Sequence, residues 1–200
     1  KLRELEPRFQ ASVFYSGEEW DRGSGTVYHF YEQRGKLLDS YNGVGFLRKF
    51  LKGVRNGSNP PPKWITFRLA EFYLNYAEAL NEIGGDPGQI IWALNEIRNR
   101  VDMPGYTYTN KEDMREKIRR ERAVELAFEE HRYFDVRRWK IAGNEGVMRG
   151  GMYGLRLKDG NPATYHLERF EDRVWEDKMY LYPFRISEIN LGYIVQNPQW

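Results

Sequence analysis

Residues 119–139 read RRERAVELAFEEHRYFDVRRW, and the reading of this stretch decides the fold. Twelve of its 21 residues are Arg, Glu, Asp or His, interleaved with Val124, Leu126, Ala127, Phe128, Tyr133, Phe134 and Trp139. At about 100° per residue, Ile118, Arg122, Glu125, Glu129, Arg132 and Val136 fall in one arc of about a quarter turn. Ala123, Val124, Ala127, His131 and Phe134 fall opposite. The pattern predicts a helix with an apolar face and an ionic stripe. Thr109 and Glu112 predict a capping box at its start, and Glu112 and Asp113 suit the positive end of the helix dipole. Lys140 and Gly143 suit its other end. The expectation is one long helix over 110–141, with a bend near His131.

The stripe runs plus, minus, minus, plus: Arg122, Glu125, Glu129, Arg132. It has three readings. A solvated face would hold i,i+3 and i,i+4 ion pairs, each contributing a few tenths of a kcal/mol. A semi-buried structural network would use arginine forks to clamp the carboxylates and pin a neighbouring loop. An acid/base pair would use Glu125 and Glu129, about 6 Å apart at Cβ. Ile118 and Val136 at the ends of the stripe, with Tyr133 and Trp139 beside it, favour the structural network. Arg122 and Arg132 disfavour catalysis, because they would keep both carboxylates ionised and a general acid needs a raised pKa.

Outward from this helix, Leu69, Phe72, Tyr73, Tyr76, Leu80 and Ile83 recur at three- and four-residue spacing and predict one apolar helix face. Gly84 and Gly85 end that helix, and Asp86-Pro87-Gly88-Gln89 reads as an N-cap, a first-position proline and a capping-box partner. Ile90, Ile91, Leu94, Ile97 and Val101 give the second helix its stripe, which Pro104 stops. Residues 68–101 thus form a tetratricopeptide-like helix pair that needs a neighbour to bury both faces. Residues 1–65 read as a loop-rich region with short strands, including the alternation Phe9-Gln10-Ala11-Ser12-Val13. Residues 66–142 are the helical region. Residues 143–200 return to loop composition, with a short strand over 178–183 and a brief helical turn over 187–190. The fold class expected is mainly α, the helix pair plus the long helix with extensive loops and short strands, all in one domain.

Composition narrows the function. A net charge of +2 with 30% charged residues argues against a nucleic-acid partner held by a dominant basic field. There is no cysteine, which removes disulfides, thiolate metal sites and a cysteine nucleophile. His29, His131 and His166 are isolated, so no zinc site is expected, and no cofactor. Gly23-Ser24-Gly25-Thr26 lacks the lysine and helix of a phosphate loop. Aromatic residues make up 16% of the chain beside a mean hydropathy of −0.77, so many rings sit among polar neighbours. Rings in that setting suit flat ligands such as sugars. The best platforms are Trp20 with Tyr15, Tyr28, Tyr31 and Tyr41, among Glu18, Glu19, Asp21, Arg22 and Asn42; the other reading is that these rings pack loops onto helices. Trp64 is expected to be a core anchor, and Trp175 and Trp200 to be structural.

RRERAVELAFEEHRYFDVRRW resembles the most recognisable motif of the SusD/RagB family. LEPRFQASVFYSGEEW, GVGFLRKFL, RLAEFYLNYAEALNEIGG, ALNEIRNRVDMPGY and RVWEDKMYLYPFRISEINLGYIVQNPQW resemble the family in the same order. The resemblance implies an α-helical fold with tetratricopeptide-like pairs and ligand-carrying loops. It implies a nutrient-binding lipoprotein of the bacterial outer membrane that binds glycans, or in some members peptides, without catalysis. The implied partners are an oligosaccharide and a SusC-type TonB-dependent transporter. It further implies that this chain is the C-terminal portion of a longer lipid-anchored protein. Two rivals stand beside glycan binding: a peptide-binding module on helices 68–101, and a glycoside hydrolase using Glu18, Glu19 and Asp21.

Overall fold

Apolar spacing alone places the first two long helices. In the computed structural model, which describes residues 2–20, 25–28, 32–33, 36–37, 45–51, 63–158 and 164–200, α2 spans Leu69–Ile83 and α3 spans Pro87–Asn99. They follow a short α1 at Pro7–Ser12. Gly84 ends α2 at φ 70°, a conformation that a Cβ would strain, and the Gly85 N–H returns to the Leu80 carbonyl at 2.8 Å. Asp86 caps α3 by accepting from the Gly88 N–H at 2.9 Å, with Pro87 first in the helix.

The neighbour this pair needs is α4, Lys111–Glu125. Leu74 and Ala77, Ile90, Ala93, Leu94 and Ile97, and Met114, Ile118 and Leu126 form one buried cluster among the three helices. The cap of α4 differs from expectation: Asn110, not Thr109, accepts from the Asp113 N–H, at 2.9 Å. The inward face of α2 also differs. Leu69, Phe72, Tyr76 and Ile83 are exposed, while Tyr73 and Leu80 lean on the core. Apolar residues occupy two adjoining sides of α2, and the side carrying Leu74 and Ala77 lies against α3 and α4.

The expected single helix over 110–141 is two helices. α4 stops at Glu125, and α5 spans His131–Arg138. Between them Phe128 and Glu130 take φ values of 67° and 65°. The break has an ionic cause. Lys49 Nζ takes the Glu125 and Ala127 carbonyls at 2.8 and 2.9 Å, and Arg68 Nη2 takes the Glu125 carbonyl at 2.6 Å. These cations satisfy the carbonyls a helix end leaves open, at the negative end of its dipole.

The first region holds the short strands β1 (Val13–Tyr15), β2 (Glu18–Glu19), β3 (Val27–Tyr28), β4 (Glu32–Gln33), β5 (Lys36–Leu37) and β6 (Gly45–Leu47). β1 pairs with β6, β2 with β3 and β4 with β5, all antiparallel. Of the alternation read over 9–13, residues 9–12 belong instead to α1, which Pro7 opens, and Val13 begins β1. The loop-rich segment expected over 143–200 contains a long antiparallel ribbon, β7 (Gly150–Lys158) with β8 (Thr164–Arg173), irregular between Met152 and Tyr153. Its glycines thin the alternating pattern that marks a strand. A 3₁₀ turn at Asp177–Tyr180 stands where a strand over 178–183 was expected, and α6 is the brief helix, Ile186–Ile189.

The chain forms two compact units, the first ending at Arg132 and the second covering Tyr133–Trp200. Within the second, the Arg137 guanidinium lies over the rings of Tyr133, Trp175 and Tyr182 at 4.3, 5.0 and 5.1 Å. It donates to the Met179 and Tyr180 carbonyls, which fixes the 3₁₀ turn. Trp200 Nε1 donates to the carbonyls of Lys178 and Leu181, each at 3.0 Å.

Candidate functional site

Two clusters in the first unit hold the chemistry. The inward face of α4 begins with Met114 and Ile118 and continues with Glu121, Arg122 and Glu125, all buried. Glu121 accepts from Arg8 Nη1 at 2.5 Å, Arg98 Nη1 at 2.9 Å and the Tyr106 hydroxyl at 3.2 Å. Glu125 accepts from Arg8 at 3.1 Å, Arg68 at 2.6 Å and Arg100 at 2.9 Å. Arg68 also forks onto Glu129 at 2.7 and 2.8 Å, and Lys49 completes the pairing of Glu129. Arg8 binds Glu6 at 2.8 Å as well. Three carboxylates thus collect cations from α1, from the segment after β6, from the start of α2 and from the end of α3.

Electrostatics favour the charged form of Glu129. Burial works to raise the Glu129 pKa, but hydrogen bonds from Arg68 and Lys49 outweigh it and hold the carboxyl below its ordinary range. Burial works to lower the pKa of Arg8 and Arg68; their carboxylate partners overcome it and raise both. For Lys49 burial prevails over Glu129, and its pKa is lowered. A carboxyl held below its usual range is a poor proton donor near neutrality.

The second cluster is aromatic. Phe14 is buried in the middle of β1. Trp20 meets it edge-on with ring centroids 4.8 Å apart, and Tyr28 does so at 5.8 Å. The pairing of β2 with β3 sets Glu18 opposite Tyr28, and the Gly17 N–H donates to the Tyr28 carbonyl at 2.8 Å, which brings these rings together. The Arg48 guanidinium lies 5.7 Å from the centroids of both Phe14 and Trp20. It donates to the Trp20 carbonyl and pairs with Glu18 at 3.4 Å. Across the ladder Phe46 stands opposite Phe14 and is 42% exposed. Gly45 permits that approach, since a Cβ there would lie 2.1 Å from the Phe14 carbonyl oxygen.

The residues singled out in the sequence divide accordingly. Trp20 and Tyr28 converge on Phe14; Trp20 is half-buried and Tyr28 is 43% exposed. Tyr15 is buried, its ring stacked on Phe9 at 5.9 Å. Tyr31 and Tyr41 lie outside the described residues, as do Asp21, Arg22 and Asn42. Glu125 and Glu129 meet at Arg68, whereas Arg122 donates to Asn75 Oδ1 at 2.6 Å and Arg132 lies on the exposed face of α5. Arg8, Lys49, Arg68 and Arg100 reach the carboxylates of the ionic stripe from other segments. Trp64 differs from the expected core anchor: it stacks on Phe50 at 4.5 Å but is 57% exposed. Among the described residues, no three His, Cys, Asp or Glu side chains gather as metal ligands.

Sequence reasoning passed over Glu121, Arg8, Lys49, Arg68 and Arg98. One signal was available. Glu121, Glu125 and Glu129 form a Glu ladder at i, i+4 and i+8, and like charges at that spacing repel unless cations arrive from other segments. Phe14 and Arg48 were also passed over, and no local pattern marks them.

The sequence profile of the SusD family matches residues 1–200. SusD-like protein P25 of Formosa agariphila is 40% identical over 108 residues, which are 52% of this chain and 20% of that protein. The crystal structure of a SusD-like protein from Bacteroides fragilis superposes with a TM-score of 0.81 at 32% identity, over 98% of this chain and 39% of that one. A SusD-like carbohydrate binding protein from Bacteroides vulgatus shares the fold with a TM-score of 0.54 at 20% identity, over 94% of this chain and 37% of that one. The chain therefore spans about a fifth of the relative from Formosa and about two fifths of the solved structures. Among the described residues no helix is long and apolar enough to cross a membrane. With its mainly helical fold, the order of its elements and the profile match over the whole sequence, the chain belongs to the SusD family.

Proposed function

We propose that this chain takes part in non-catalytic binding of an oligosaccharide at the bacterial cell surface, for delivery to a SusC-type TonB-dependent transporter of the outer membrane. The observation that carries the reading is the convergence of Trp20 and Tyr28 on Phe14 beside the Arg48–Glu18 pair. It supplies ring faces for sugar CH groups and fixed polar groups for hydroxyls. Tyr15 serves it from beneath, by packing β1 against Phe9. The Bacteroides vulgatus relative, a carbohydrate binding protein, supports the ligand class. The non-catalytic reading is supported by the carboxylates: Glu125 and Glu129 are held by Arg68, and Glu18 by Arg48.

Tryptophan fluorescence titration against plant, host and microbial glycans tests the proposal. A saturable response to one glycan that Trp20→Ala abolishes is the expected result. A response unchanged in Trp20→Ala moves binding away from this surface. A second reading rests on the exposed stripe Leu69, Phe72, Tyr76 and Ile83 of α2, which suits an apolar peptide. It predicts that peptides perturb Trp64 and Trp92 and that glycans perturb no tryptophan.

A further inference from the structure

β1 and β6 are three residues each, too short to hold a position by their own ladder. Yet they carry Phe14 and Phe46, and β6 leads directly to Arg48. Both strands are fastened at the same place. β1 is entered from α1, whose buried Arg8 is seated on Glu121 and Glu125. β6 is followed by Arg48, which reaches the aromatic rings, and then by Lys49, which reaches Glu129 and the Glu125 and Ala127 carbonyls. The carboxylates are themselves fixed to the helices by Arg68, Arg98 and Arg100. The three helices already share an apolar core, so they do not require Arg8 or Lys49 to stay together.

We infer that the Glu121–Glu125–Glu129 hub sets the height and angle of the Phe14–Trp20–Tyr28 surface above the helices, with Arg8 and Lys49 as positioning residues that touch no ligand. The inference deepens the proposed function: through this geometry the buried ions govern how well the rings receive a sugar. A network that merely stabilised the helices would leave the rings where they are when Lys49 is removed.

The test uses the full chain labelled with 5-fluorotryptophan, with the Trp20 resonance assigned through Trp20→Phe. Lys49→Met is expected to shift or broaden the Trp20 resonance while Trp92, on α3, stays in place and the far-ultraviolet helical signal is kept. Lys49→Arg restores the resonance. Arg115→Ala, which breaks the exposed pair with Glu82, leaves it unmoved. Arg8→Gln is expected to act as Lys49→Met does; should Arg8→Gln unfold, Lys49→Met decides alone. A Trp20 resonance unmoved in Lys49→Met overturns the inference. Where a glycan binds, Lys49→Met is expected to weaken it about tenfold, through lost preorganisation rather than lost contact. Should no glycan bind, the resonance still decides the inference, and that failure belongs to the binding reading alone.

Discussion

The two halves of α4 bury the same face by opposite means. Toward its N-terminus the face is Met114 and Ile118, which meet Leu74, Leu94 and Ile97 in a dry core. Two turns later it is Glu121 and Glu125, side chains 1% and 2% exposed, which meet arginines. Position on the helix therefore decides burial here, and polarity decides only what must come to meet the residue. An apolar face is satisfied by any well-shaped neighbour. A buried carboxylate needs particular partners at particular angles, and so it specifies which segments dock and where.

The comparison breaks first at Glu121. Glu121→Ala leaves Arg8 and Arg98 short of a buried partner and is expected to lower the unfolding free energy by about 3–5 kcal/mol, read as a drop in the urea midpoint. Ile118→Val removes one methyl group from the apolar end and is expected to cost about 0.5–1.5 kcal/mol. Equal losses would mean that the charged end is solvated and the contrast false.

Acid sharpens the same contrast. Glu129 has a folded pKa below its ordinary value of 4.5. Its contribution is therefore present in full above the ordinary value and lost as pH falls through the folded one. Urea midpoints at neutral and at low pH should differ less for Glu129→Gln than for the parent. Ile118→Val, at the apolar end, should leave that difference unchanged.

Smaller effects belong to the N-terminal half. Asn110→Ala removes the cap and is expected to cost about 1 kcal/mol in thermal unfolding. Arg115→Ala breaks an exposed fork onto Glu82 and is expected to cost at most about 1 kcal/mol, a difference that added salt erases. The buried hub should keep most of its contribution in the same salt.

Much of the helical part was legible in the sequence, for a local reason. Gly84, Asp86 and Pro87 mark the turn between α2 and α3 by chemistry confined to a few residues. The end of α4 was not legible, because the donors that end it lie 57 and 76 residues away at Arg68 and Lys49. The helical period runs on through residues 126–130, so the sequence pointed to a bend near His131 but not to a full break before it. The inward side of α2 was misread because apolar residues cover two of its sides and only packing chooses between them. At the aromatic surface Trp20 could be singled out by its polar neighbours. Its meeting with Phe14 and Tyr28 could not, since the β2–β3 pairing creates it. The family was legible because its motifs are contiguous stretches, independent of any such pairing.

The hub also fixes an order of events. Arg98 and Glu121 are 23 residues apart, whereas Arg8 and Glu121 are 113 apart. The shorter loop closes with less loss of chain entropy, so α2, α3 and α4 can associate while α1 is still searching. During synthesis Arg8 leaves the ribosome long before the carboxylate that will receive it. Clamping of the first segment is therefore expected to be a late step, made after the folding barrier has been crossed. Loss of Arg8 should then leave the refolding rate nearly unchanged and speed unfolding, so that the buried ions act as a kinetic lock on a chain whose helices have already found one another.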